Sequence, residues 1–92
     1  LSIADNKKGE TIMFQEQRQI NELKSVKHLL SILGKTNADE VEVLQPRIYR
    51  HISKRGITTI IHAYSNCQTY LSSGDDGKLY RCNGFYLTLK KP

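Results

Sequence analysis

An Asn-Gly pair at 83–84, flanked by Lys-Leu-Tyr-Arg-Cys and Phe-Tyr-Leu-Thr-Leu-Lys, constrains this chain more tightly than any other feature. Asn-Gly in a two-residue loop supplies the positive φ angles of a hairpin turn whose twist matches that of the strands it joins. The same loop sets the register: Cys82 falls opposite Phe85, Arg81 opposite Tyr86, Tyr80 opposite Leu87, Leu79 opposite Thr88 and Lys78 opposite Leu89. Strand side chains alternate, so Tyr80, Cys82, Phe85, Leu87 and Leu89 share one apolar face, with Lys78 at its margin. That face is the expected core.

Upstream, Ile57 to Tyr64 is dense in β-branched and aromatic residues and predicts a further strand. Ser65-Asn66 reads as a turn into a strand over Cys67 to Ser72, and the glycine-rich stretch 73–77 as the turn out of it. Asp75 and Asp76 are read there as turn residues. The result is an antiparallel meander of four strands. A four-residue loop over 73–76 would set Cys67 opposite Cys82, within reach of one disulfide, and add Leu71 to the apolar face. The other face then collects Gln68, Tyr70, Leu79, Arg81, Tyr86, Thr88 and Lys90, at once polar, aromatic and basic.

The N-terminal half has a different period. Residues 1–10 are polar and aperiodic and are expected as a mobile leader to one α+β domain over 11–92. The chain opens on Leu1 rather than Met, which fits a piece excised or processed from a longer protein. From Ile12 to Leu33, apolar residues recur every three or four positions, at Ile20, Leu23, Val26, Leu30 and Leu33, predicting a long amphipathic helix stopped by Gly34. Ile20, Leu23, Leu30 and Leu33 are expected to pack on the sheet face of Phe85, Leu87 and Leu89. The mixed charges of Glu16, Arg18, Glu22, Lys24 and Lys27 suit the solvent side.

Asn37 followed by Glu40 resembles a capping box for a short helix over Ala38 to Leu44, although the alternation Glu40-Val41-Glu42-Val43 fits a strand equally. Pro46 and Gly56 then frame a second short helix, since proline suits a first helical turn and glycine the position just past a helix end. Ile48 and Ile52 would pack, while Arg47, Arg50 and Lys54 follow a separate three-then-four spacing. The expected fold class is therefore α+β, with a long N-terminal helix and two short helices packed on a four-stranded antiparallel meander. Its helices follow one another as in a helix-turn-helix, a fold-level analogy.

With 92 residues, 38% hydrophobic and 25% charged, the composition is that of a folded chain rather than a disordered one. No apolar run approaches the roughly 18 residues of a membrane span, so no membrane partner is expected. Cys67 and Cys82 lack the paired spacing of a zinc site, and no phosphate-cradling glycine loop, metal-binding histidine pair or nucleophile elbow is present; metal and cofactor are both expected to be absent.

The net charge of +5 has a local source: Arg47, Arg50, Lys54 and Arg55 stand together with no acid among them. Such a face suits a polyanion, although basic side chains near a helix C-terminus also serve the helix dipole. The sequence predicts a nucleic-acid-binding module, DNA and RNA not distinguished, with Arg47, Arg50, Lys54 and Arg55 on phosphates and Tyr70, Arg81, Tyr86 and Lys90 as a base-contacting platform. One alternative is a small metal-independent ribonuclease in which His51 or His62 moves protons and Arg81 holds phosphate charge. Another is a protein-interaction domain for an acidic partner. His28, on the long helix, reads as a surface group.

Overall fold

A computed structural model describes residues 6–34 and 40–91, with side chains from residue 16 onward. Within them the chain runs α1 (Asn6–Ile32), β1 (Val41–Gln45), β2 (Ile48–Ile52), β3 (Thr58–Tyr64), α2 (Cys67–Ser73), β4 (Lys78–Cys82) and β5 (Phe85–Lys90). The fold is α+β. Its five strands form one antiparallel sheet in the order β1-β2-β3-β5-β4.

The hairpin β4–β5 follows the predicted register at all five pairs, from Cys82↔Phe85 to Lys78↔Leu89. Asn83 and Gly84 both have positive φ, at 51° and 85°, the pair of angles a type I′ turn requires. Cys82 and Leu87 lie in the core, and Tyr80, Phe85 and Leu89 pack against it, as the alternation implies.

Several expectations are corrected. Pro46 to Gly56 is not a helix: Pro46-Arg47 turns the chain from β1 into β2, and Gly56, with φ 81°, belongs to the loop between β2 and β3. There the Gly56 N–H donates to the Ser53 carbonyl at 2.9 Å, and the Ser53 N–H to the Ile57 carbonyl at 2.9 Å. Proline and glycine punctuate the chain in both readings, but Ile48, Tyr49, Arg50, His51 and Ile52 alternate as a strand, Tyr49 and His51 inward. With no helices flanking Pro46, the helix-turn-helix analogy fails.

The segment 41–45 takes the strand alternative and not the helical one. Asn37, the expected cap, lies outside the described residues. Cys67 to Ser72, expected as a strand, instead forms most of α2. The Asn66 side chain accepts the Thr69 N–H at 2.8 Å, an N-cap, and Gly74 closes the helix in the left-handed region at φ 76°. Cys67 is thus no cross-strand neighbour of Cys82, both thiols are free, and Leu71 is 69% exposed rather than core. Because β5 lies between β3 and β4, the strands do not make a simple meander.

One face of the sheet packs against α1, which crosses β4 and β5. From the register, that face carries Val41, Tyr49, His51, Thr59, Ile61, Ala63, Leu87 and Tyr80. The helix meets it with Glu22, Ser25, Val26, Leu29 and Leu30, all buried, and with half-buried Leu23. Ile20, 47% exposed, and Leu33 fall outside this stripe, which turns further toward Glu22 than apolar spacing predicts. Glu22 can be buried because the Tyr49 hydroxyl donates to its Oε1 at 2.6 Å and Arg47 Nη1 stands 3.7 Å from Oε2. Asn6 to Glu10, part of the expected leader, belong to α1, while residues 1–5 lie outside the described set.

Candidate functional site

The second face of the sheet is not covered by α1. Cross-strand pairing builds it in rows: Glu42, Arg50, Ile60 and Lys90; then Ile48, His62, Thr88 and Leu79; then Tyr64, Tyr86 and Arg81. The helix α2 and the loop after it cover one part, with Tyr70 meeting Tyr64 edge-on at 5.6 Å between ring centres. Ile48, Arg50, Ile60 and His62 remain half-exposed, and Ile52 is exposed.

At the border between the covered and open parts stands a carboxylate, Asp75, whose side chain is only 2% exposed. Its Oδ2 accepts the Tyr64 hydroxyl at 2.7 Å and the Thr88 hydroxyl at 3.0 Å; its Oδ1 accepts the Gly77 N–H at 2.8 Å and the Lys90 ammonium at 2.9 Å. Burial alone would raise its pKa, but these donors, Lys90 foremost, outweigh burial and hold the carboxyl well below the usual carboxylate range. The carboxylate in turn raises the Lys90 pKa. Glycine at 77 permits the approach, since a Cβ there would stand 2.9 Å from Lys90 Cγ and 3.2 Å from Asp75 Oδ1.

His62 adjoins this cluster. Its ring stacks on Tyr64 at 4.5 Å and 19° between planes, and its Nδ1 lies 3.4 Å from the Tyr64 hydroxyl and 3.8 Å from Asp75 Oδ2. Desolvation is the largest influence and lowers the His62 pKa below its ordinary value; Asp75 opposes it, while Lys90 and Arg47 add to it. Burial likewise raises the Tyr64 pKa.

The residues expected to act separate into three groups. Arg50, Arg81, Tyr86 and Lys90 share the open face, with the Arg81 guanidinium 5.7 Å from the Tyr86 ring centre. Arg50 there pairs with Glu42, its Nε at 3.1 Å from Oε1. Lys54 and Arg55 are exposed in the β2–β3 loop, and Tyr70 borders the face from α2. Arg47 is elsewhere. It faces Glu22 and lines a groove of about 770 Å³ between α1 and the β1–β2 hairpin, beside Ile20, Leu23, Val43 and Leu44.

The two candidate histidines also part company. His51 is fully buried on the α1 side of the sheet and so is remote from any ligand on the open face, whereas His62 is on that face with 34% of its side chain exposed. Asp75 and Tyr64 are not among the site residues the sequence predicts. Aspartate in a glycine-rich turn has a backbone explanation, and it has one here too, through Gly77; the long-range bonds to Tyr64, Thr88 and Lys90 have no local signature.

Among the described residues no group of three or more His, Cys, Asp and Glu side chains is placed to hold a metal, and no helix is long and apolar enough to cross a membrane. No family model matches this chain, and no curated protein or solved structure matches it significantly.

Proposed function

We propose that the protein is a nucleic-acid-binding module whose contact surface is the sheet face that α1 leaves uncovered. One observation carries this reading: that face holds aromatic and basic groups together, with Arg81 beside Tyr86 in one row and Arg50 and Lys90 two rows farther along it. Aromatic rings there offer bases a stacking surface, and cations beside them neutralise phosphate. Exposed Lys54 and Arg55 extend the positive charge past one end of the strands. The four basic residues of the 47–55 segment keep their proposed partner but do not act as one helical stripe. Lys54 and Arg55 serve the open side together with Arg50, whose exposed pairing with Glu42 a phosphate would replace, and Arg47 is engaged with buried Glu22.

Anisotropy titrations of the whole chain with single-stranded DNA and RNA across a salt series test the reading. Affinity should fall with salt, and the double variant Lys54→Ala/Arg55→Ala should shrink the log–log slope by about 0.7 for each single-strand phosphate that the variant leaves unneutralised. Tyr86→Ala should weaken binding by about 1–3 kcal/mol per stacked base with the slope unchanged. Absence of salt-dependent affinity for either strand would overturn the proposal and favour an acidic protein as the partner.

A further inference from the structure

We propose that His62 is a general base that cleaves RNA held on the open sheet face, an inference that rests on the nucleic-acid reading above. The Tyr64 hydroxyl has one proton, and at 2.7 Å it donates it to Asp75 Oδ2. Toward His62 Nδ1, 3.4 Å away, the Tyr64 oxygen can then only accept. Asp75 Oδ2, at 3.8 Å from the same nitrogen, is likewise an acceptor. Two acceptors beside Nδ1 favour the tautomer with the proton on that nitrogen and the lone pair on Nε2. Stacking on Tyr64 fixes the plane of the ring. Nε2 makes no hydrogen bond to a described residue.

The surroundings suit phosphate chemistry. His62 is flanked across the sheet by Ile48 on β2 and Thr88 on β5, at the margin of the open area. The Lys90 ammonium, held to Asp75 Oδ1 at 2.9 Å, is a fixed positive charge in the same cluster. Its remaining N–H groups can meet an anionic oxygen as charge develops. The charged and titratable groups around the imidazole are Asp75, Lys90, Tyr64, Arg47 and Glu22; desolvation, with Lys90 and Arg47, outweighs Asp75 and Glu22 and favours the neutral ring.

In the step, the ribose 2′-hydroxyl gives its proton to His62 Nε2, and the freed oxygen pair forms a bond to the adjacent phosphorus. The P–O5′ bond breaks, its electrons leave on the 5′ oxygen, and that oxygen takes a proton from water. The hydroxide so formed removes the proton from His62. The products are a 2′,3′-cyclic phosphate and a 5′-hydroxyl, with no net oxidation. DNA, which lacks the 2′-hydroxyl, would bind and stay intact.

The test uses the whole chain, in excess over a fluorescent mixed-sequence oligoribonucleotide, with chelator present and the DNA counterpart in parallel. RNA should be cut to cyclic-phosphate ends, DNA should not, and the rate should fall as acid protonates His62. His62→Gln should lower the rate about 10²–10⁴-fold with anisotropy binding unchanged. Added imidazole should restore part of the cleavage in His62→Ala, a readout that a structural role would not move. RNA bound but uncut by the wild-type chain, or cut equally by a folded His62→Gln variant, would overturn this inference and leave the binding reading standing. Neither nucleic acid bound would remove both.

Discussion

The two faces of the sheet each hold a buried carboxylate capped by a tyrosine, yet the two clusters are built differently. On the helix side, Glu22 accepts from Tyr49 at 2.6 Å and stands 3.7 Å from Arg47, fastening α1 to β2 within an apolar core. On the open side, Asp75 accepts from Tyr64, Thr88, Lys90 and the Gly77 N–H, fastening the loop after α2 to β3 and β5. The first carboxylate is a cross-link between layers. The second is a cross-link too, but it also orders a half-exposed histidine and lysine at the edge of a surface that α1 leaves open. The two clusters therefore differ in what they leave accessible: His62 and Lys90 are half-exposed beside Asp75.

The comparison breaks most readily at Asp75. Replacing it by alanine leaves the Tyr64 and Thr88 hydroxyls and the Gly77 N–H without their acceptor, while half-exposed Lys90 turns to water; the variant should lose about 2–4 kcal/mol in denaturant unfolding, since each buried donor left unpaired costs about 1–3 kcal/mol. A loss under about 0.5 kcal/mol, typical of surface sites, would show that the cluster holds nothing. The pH dependence sharpens the same point. The folded-state pKa of Asp75 is depressed, so its contribution is fully present above the ordinary carboxylate pKa and is lost as pH falls through the folded value. Acid titration of the wild-type chain should show that loss, and Asp75→Ala should lack it.

A smaller effect is expected on the helix side. Tyr49→Phe removes the 2.6 Å donor to Glu22 and leaves Arg47 at 3.7 Å as its nearest cation; about 1–3 kcal/mol should be lost, with binding on the open face unaffected. If nucleic-acid affinity fell with it, the two faces would not be functionally separate.

What is legible in the sequence follows the range over which each signal acts. The β4–β5 register is readable because Asn83-Gly84 acts over two residues and the side-chain period does the rest. The strand β3 is readable from its β-branched density. Pro46 and Gly56 do punctuate the chain, but a proline at a first helical turn and one at a strand reversal look alike locally. The alternation Ile-Tyr-Arg-His-Ile is masked by the charges interleaved with it. Asn66 and Gly74 likewise carry the start and stop signals of α2, and both also suit turns, so a seven-residue helix resembles a strand between two of them. Of the residues that the fold places on the candidate face, Arg50, Arg81, Tyr86, Lys90 and His62 are singled out by the sequence. Asp75 is not, because its partners Tyr64, Thr88 and Lys90 lie 11 to 15 positions away, and only the fold brings them together.

The claim that the uncovered sheet face is the one that works is tested most directly by methyl- and ring-resolved NMR during titration with a short single-stranded oligoribonucleotide. Ile48, Ile52 and Ile60 methyls and the Tyr86 ring report the open face, and Ile20, Val43 and Leu44 methyls report the groove between α1 and the β1–β2 hairpin. The account predicts saturable shifts in the first set, with His62 ring signals moving alongside them, and no more than slight change in the second. Shifts concentrated on Ile20, Val43 and Leu44, with the open face still, would contradict it.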